Sequence, residues 1–260
     1  MNFPLFHATF ATMLSWLKNI GEYVLLMRRA LRKPERLGEY GRSLLKEIDY
    51  LGFDSVAIVT IISLFVGAVV TIQTALNLED PLIPDYYIAI ATRESIILEF
   101  SPTMVSLILA GKVGSNIAST LGTMRVSEQI DALEVMGVNS ASYLITPKVI
   151  ASMLYNPILI VLSMFLGILG GFIAGQLTGM ISPTDYILGV QLGFRPFYVQ
   201  YALTKTVVFA FLITSISSYY GYTVKGGAVE VGTASTRAVV SSSVAVIVSN
   251  YILTQLLLSS

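Results

Sequence analysis

The sequence predicts an all-α integral membrane protein: an N-terminal interfacial helix, five transmembrane helices and a short cytoplasmic helix between the second and third. Three observations predict it. Hydrophobic residues fill 54% of the 260 positions and charged residues only 12%, with a mean hydropathy of +0.73, which is too apolar for a soluble domain of this length. The apolar segments run on without a break, and lipid admits only helices of roughly 20 apolar residues or closed barrels built from much shorter alternating strands. Between the second and third spans the chain leaves its apolar phase and becomes a short amphipathic stretch rich in acids, 127–136.

Composition also excludes chemistry. The chain has no cysteine and a single histidine, His7, so disulfides, thiol catalysis and thiolate or histidine metal sites are excluded within it. No GxxxxGK[ST] run occurs, so ATP hydrolysis through a phosphate loop is excluded as well. Nor is there an HExxH, a nucleophile elbow or a pair of intramembrane aspartates, which argues against an enzyme. The first residues do not read as a cleavable signal, because no basic residue precedes the apolar stretch. A net charge of zero says little about partners, because the distribution of charge along the chain matters more than its sum; nucleic acid is not expected among them.

The elements follow in order. Residues 1–50 form an N-terminal amphipathic interfacial region and 51–260 the five-helix membrane domain. In the first region Trp16, Tyr23, Leu25, Leu26 and Met27 alternate with Lys18, Arg28, Arg29, Arg32, Lys33, Arg36, Arg42 and Lys46, which suits helices lying on anionic headgroups; Pro34 breaks the first of them. The first span is 56–78, followed by an acidic turn with Glu79, Asp80, Pro81, Pro84 and Asp85 and by the interface aromatics Tyr86 and Tyr87. The second span is about 88–112, the third about 147–177, the fourth about 198–220 and the fifth about 239–258. The Gly-rich polar run 221–237 joins the last two. An N-terminus on the cytoplasmic side gathers Lys18 to Lys46, Lys112, Arg125, Lys148, Lys225 and Arg237 inside, with the C-terminus outside.

In the stretch between spans two and three, Ser127 reads as an N-cap, Glu128 as a first-turn acid and Gly137 as the stop. Glu128, Asp131 and Glu134 recur every three residues along one side, and Ile130, Leu133 and Met136 along another. Such a helix suits docking into a groove of another protein; a surface helix resting on headgroups is the alternative. Glu99 stands within the second span, where an ionisable group is costly, and Lys205 falls at a comparable depth in the fourth. The two either line an internal cavity that meets a polar headgroup or form a purely structural ion pair. Gly167, Gly171, Gly175 and Gly179, and likewise Ala110, Gly114, Ala118 and Gly122, make small-residue ladders for close helix packing, within one subunit or between two. Pro102, Pro157, Pro183 and Pro196 read as breaks or kinks, with Pro102 loosening the helix beside Glu99.

Several ordered motifs carry a family resemblance from about Lys33-Pro34 to the end. They are Gly52 and Ser55, Gly67 and Gln73, Glu99-Phe100-Ser101-Pro102 and Ala110 to Ser115. After these come the long run Gly122 to Leu133, then Thr146-Pro147-Lys148, Gly221-Tyr222 and Gly232 to Val240. On these the chain resembles the MlaE/YrbE family, the permease subunits of ABC transporters that move lipid between bacterial membranes or into plastids. It departs from the family at Leu98, Thr120 and Asn139-Ser140, where relatives often carry Arg, an acid and Asp-Pro.

The resemblance implies a homodimer in a bacterial inner membrane, with phospholipid or a similar lipid bound in a cavity to which Glu99, Lys205, Gln73, Gly67 and Pro102 contribute. It implies a coupling helix at about 126–137, with Arg125, Glu128, Ile130, Asp131, Leu133, Glu134 and Met136 gripped by a separate cytoplasmic ATPase that binds the ATP. It also implies an MCE-type lipid-binding partner on the outer face, and no cofactor or metal in this chain. The rival reading is an autonomous proton-coupled transporter using Glu99, against which stand the docking helix and the lack of a convincing internal repeat.

Overall fold

A computed structural model describes residues 18–31, 37–78 and 82–258, with the side chains of 37–40 left aside. His7, Trp16, Arg32, Lys33, Pro34, Arg36, Glu79, Asp80 and Pro81 lie outside the described residues.

Among the described residues five helices are long and apolar enough to cross a membrane, covering Gly41–Asn77, Tyr86–Val126, Ser140–Thr178, Pro196–Tyr222 and Ala228–Leu258. The first described helix is α1, residues 18–30. Next come α2, Leu37–Glu47, and α3, Asp54–Asn77, joined without a break by a π-helical turn at Ile48–Phe53, so the 50/51 division of the sequence falls inside one helical rod. We call Tyr86–Val126 α4, Gln129–Val135 α5, Ser140–Thr178 α6, Pro183–Gln191 α7, Pro196–Tyr222 α8 and Ala228–Leu258 α9.

Three expected boundaries are corrected. Helix α4 does not stop near 112 but runs on to Val126, because its far end packs on the bundle: Leu121 and Gly122 are buried, and Ser115 bonds Ser235 of α9. The 221–237 run is not a loop along its length, since α9 already begins at Ala228 and only 223–227 turn. The long α6 starts at Ser140 rather than near Pro147, because Asn139 caps it by accepting the Ser142 amide, and it carries Pro147 and Pro157 inside.

Two features set the packing that positions the functional residues. Helix α3 crosses α6 at backbone contact: a methyl group added at Gly67 would come 1.8 Å from the Gly167 carbonyl oxygen, and one at Gly170 would meet that of Leu64 at 2.0 Å. The second ladder faces α8 and α9, with Gly114 against Ser217 and Gly122 against Val231. Gly179 is not part of a ladder contact; its positive φ ends α6. A second π-helical stretch, Ile96–Met104, holds both Glu99 and Pro102 within α4. It fits the missing proline N–H, which breaks the regular hydrogen-bond ladder at that point.

Helix α1 does not lie free of the bundle. Leu26, Met27 and Ala30 are buried in the main core cluster, Tyr23 bonds Ser215 of α8 at 2.8 Å, and Thr146 of α6 donates to the Ala30 carbonyl at 2.6 Å. Ile20, Val24 and Leu31 form a second, exposed apolar stripe beside the packed one. At the other end of the bundle α7 is fastened by Arg93 of α4. Its guanidinium, 2% exposed, donates to the carbonyls of Gly189, Val190 and Leu192, the unsatisfied end of a helix where a cation belongs.

Candidate functional site

The structure brings Glu99 and Lys205 together. Lys205 Nζ donates to Glu99 Oε2 at 3.0 Å, to Tyr201 Oη at 3.0 Å, to the Leu98 carbonyl at 3.3 Å and to Thr254 Oγ1 at 3.4 Å, and lies 4.8 Å from the centre of the Tyr201 ring. Glu99 Oε1 accepts from Thr103 at 2.9 Å and from the Asn250 amide; Tyr201 and Thr254 bond each other at 2.9 Å. The lysine side chain is fully buried, while the Glu99 side chain remains 47% exposed. A cation buried this deeply is tolerated only when paired and hydrogen-bonded, and here it is. Its partner keeps an open edge, available to a polar group from outside the chain.

Three helices build this cluster, each with a polar pair four residues apart: Glu99 and Thr103 on α4, Tyr201 and Lys205 on α8, Asn250 and Thr254 on α9. That spacing puts both members on one helix face. Thr103, Tyr201, Asn250 and Thr254 were missed from the sequence, although polar residues four apart in an apolar span are a readable signal. Of the other expected cavity residues, Gly67 is taken up by its crossing with Gly167, and Gln73 is exposed on α3. Pro102 is buried in the π-helical stretch beside Glu99. Gly67 does border a small apolar cleft with Phe100, Met104 and Val66, floored by the bonded hydroxyls of Ser63, Ser163 and Ser101.

At the end of the bundle that carries α1, helix α5 forms a second site, and here the expected details change. Ser127 is not the N-cap of α5. It closes α4, with its hydroxyl donating to the Thr123 carbonyl at 2.7 Å, and the turn is made at Glu128, whose φ of 60° is left-handed. Glu128 is therefore the residue before α5 and not a first-turn acid. Gly137 does end the helix, with its own amide on the Glu134 carbonyl and that of Val138 on Leu133, at a φ of +80° that glycine adopts without strain.

The two faces of α5 also differ from a simple acidic and apolar division. Ile130 is fully buried and Leu133 partly so, whereas Met136 is 69% and Val135 89% exposed. Asp131 is paired with Arg125 at 2.5 Å. Glu134 turns back to its own chain: its Oε1 accepts from Ser140 at 2.8 Å, Arg29 at 2.9 Å and Tyr222 at 3.1 Å. These bonds, that of Ser140 foremost, hold the Glu134 carboxyl below the usual glutamate range against the opposing effect of partial burial. The outward surface of α5 is thus Glu128, Gln129, Ala132, Val135 and Met136.

Among the described residues no group of three His, Cys, Asp or Glu side chains is placed to hold a metal ion.

The geometry can be set beside known proteins. The family model described as permease MlaE matches residues 44–256. A probable ABC transporter permease protein of Rickettsia bellii is 34% identical over 92% of this chain and 92% of its own. One of a Synechocystis species is 38% identical over 83% of this chain and 82% of its own. The Arabidopsis thaliana chloroplast protein named trigalactosyldiacylglycerol 1 is 35% identical over 82% of this chain and 60% of its own.

Proposed function

This chain belongs to the MlaE permease family, and from that premise we propose that it is the membrane subunit of an ABC transporter that moves phospholipid or a similar lipid, driven by a separate cytoplasmic ATPase. The observation that carries the reading is α5. A short helix joined to α4 by the turn at Glu128 projects Val135 and Met136 into solvent beside Glu128 and Gln129, on a chain that has no nucleotide-binding motif of its own. Exposed apolar side chains rimmed by polar ones mark a protein contact. The ATP, in this reading, is bound by the partner, and this chain is no enzyme and carries no cofactor.

The lipid is supported by the Glu99 cluster and by the galactolipid in the name of the Arabidopsis relative. A headgroup brings its charge or hydroxyls to the open edge of Glu99, and its chains lie against the apolar surface of the spans. Beside the cluster, α9 leaves Val240, Val244, Ile247 and Tyr251 exposed, a surface that a second copy of the chain would cover, which supports a homodimer with the lipid cavity between its two subunits. The α1 and α5 end is cytoplasmic by its basic residues, the α7 end faces outward toward an MCE-type partner, and the membrane is a bacterial inner membrane.

The test is purification from the native membrane, comparing wild type with Val135→Asp/Met136→Asp and with Glu128→Lys. An ATPase and phospholipid that accompany the wild type, with the ATPase lost from the variants, support the reading. A chain that emerges alone and supports proton-driven flux overturns it.

A further inference from the structure

We propose that α1 is part of the transmission element and that Glu134 is the positioning residue joining it to α5; the inference rests on the ATPase-coupled reading above. The moving unit is then a pair of helices, α1 with α5, and not the docking helix alone.

The argument starts from how little holds α5. Ile130 is its one fully buried side chain among the described residues, and its entry turn passes through a left-handed Glu128. Its sideways position therefore depends on Glu134, one oxygen of which accepts from three separate elements: Arg29 of α1, Ser140 at the start of α6 and Tyr222 at the end of α8. The Ser140 and Tyr222 hydroxyl oxygens themselves lie 2.7 Å apart. Helix α1 in turn bridges α6 and α8. The Asn139 amide donates to the Arg29 carbonyl at 3.1 Å and Thr146 to that of Ala30, while on the α8 side Tyr23 bonds Ser215 and Tyr219 donates to Glu22 at 3.3 Å. The Tyr23 and Tyr219 rings meet edge to face at 5.9 Å.

A helix that only rested on headgroups would leave Arg29 to the lipid phosphates. This one turns Arg29 onto the carboxylate of the docking helix, while its Tyr23 and Glu22 hold Ser215 and Tyr219 of the helix that carries Lys205. A displacement of α5 is thereby delivered to α6 and α8 through bonded contacts, along a route separate from the covalent one through α4.

The experiment uses the whole chain with its ATPase, reconstituted in vesicles of phosphatidylethanolamine and phosphatidylglycerol containing a fluorescent phosphatidylglycerol. The readouts are ATPase bound, ATP hydrolysed and probe moved per ATP, for Arg29→Ala, Arg29→Lys, Glu134→Gln and the exchange Arg29→Glu/Glu134→Arg. The expected result is an ATPase that stays bound, while probe moved per ATP falls about 3- to 10-fold in Arg29→Ala and Glu134→Gln. Arg29→Lys retains most of the wild-type ratio, and the exchange recovers it to within about 2-fold, which a merely structural role would not produce. Unchanged ratios in folded Arg29→Ala and Glu134→Gln overturn the proposal, as does loss of the bound ATPase in step with transport, which would make Glu134 a docking contact. A wild-type chain that binds no ATPase removes the functional reading itself, an outcome distinct from both.

Discussion

Glu99 and Glu134 are each held by one cation and by uncharged hydrogen-bond donors, yet their cations stand in opposite surroundings. Lys205 is fully buried between three spans, whereas the Arg29 side chain is half exposed at the end of the bundle. In the first case the carboxylate is obligatory, because without it a charge is stranded where neither water nor a second anion reaches. In the second, water can replace either partner, so the pair adds little to stability and its worth lies in where it places α5. The same chemical motif therefore serves as a fixed element within the spans and as an adjustable joint outside them.

The largest effect that tests this contrast is expected from Glu99→Ala, which leaves Lys205 unpaired and should destabilise the fold by about 3–5 kcal/mol, read as the thermal unfolding midpoint in detergent. Glu99→Gln keeps acceptors for Thr103 and Lys205 and should lose less. The double change Glu99→Leu/Lys205→Met, which removes both charges, should recover most of the stability while abolishing lipid transport. If the double variant is no more stable than Glu99→Ala, the buried pair is not what makes Glu99 obligatory.

Next in size come the newly found members of the cluster. Asn250→Ala and Thr254→Val each remove a bond that reaches Glu99 or Lys205 from α9, and each should cost about 0.5–1.5 kcal/mol. Transport should fall by more than stability, since α9 completes the wall beside the open edge of Glu99. Equal losses of the two would reduce Asn250 and Thr254 to packing residues.

The contrast also explains what the sequence made legible. Spans are read from continuous apolar runs, so the five helices and the conspicuous charges inside them, Glu99 and Lys205, stood out. Hydroxyls and amides inside those runs did not, because Thr103, Tyr201, Asn250 and Thr254 are cheap enough in a helix to be ignored one at a time and gain meaning only when three faces meet. The end of α4 and the start of α9 were misplaced for a related reason: Ser115 to Val126 and Ala228 to Arg237 are rich in polar and small residues, and they pack against one another, as Ser115 does on Ser235. On α5 the three-residue spacing of acids was visible, but not that Glu134 is engaged by its own chain through Arg29, a residue 105 positions away.

The smallest effects are expected at Arg29 and Glu134, and they sharpen the contrast by being nearly invisible in stability. Arg29→Ala should shift unfolding by less than about 1 kcal/mol and should act more weakly still in about 1 M salt, where an exposed pair is screened. The pH dependence is equally limited. Because the folded-state pKa of Glu134 is lowered, the stabilisation of its contacts is complete above the ordinary glutamate value of about 4.3 and is lost only as pH falls through the depressed folded value. The chain has no cysteine, so labels can be introduced by Arg28→Cys on α1 and Met136→Cys beside α5, both exposed positions. The distance between labels at these two sites should stay single-valued from pH 8 down to the ordinary glutamate value and broaden only on further acidification, as Glu134 takes up a proton and releases Arg29. Broadening already near pH 6 would mean that the Glu134 carboxyl is raised above the ordinary glutamate value, and that its ring of donors does not hold α5.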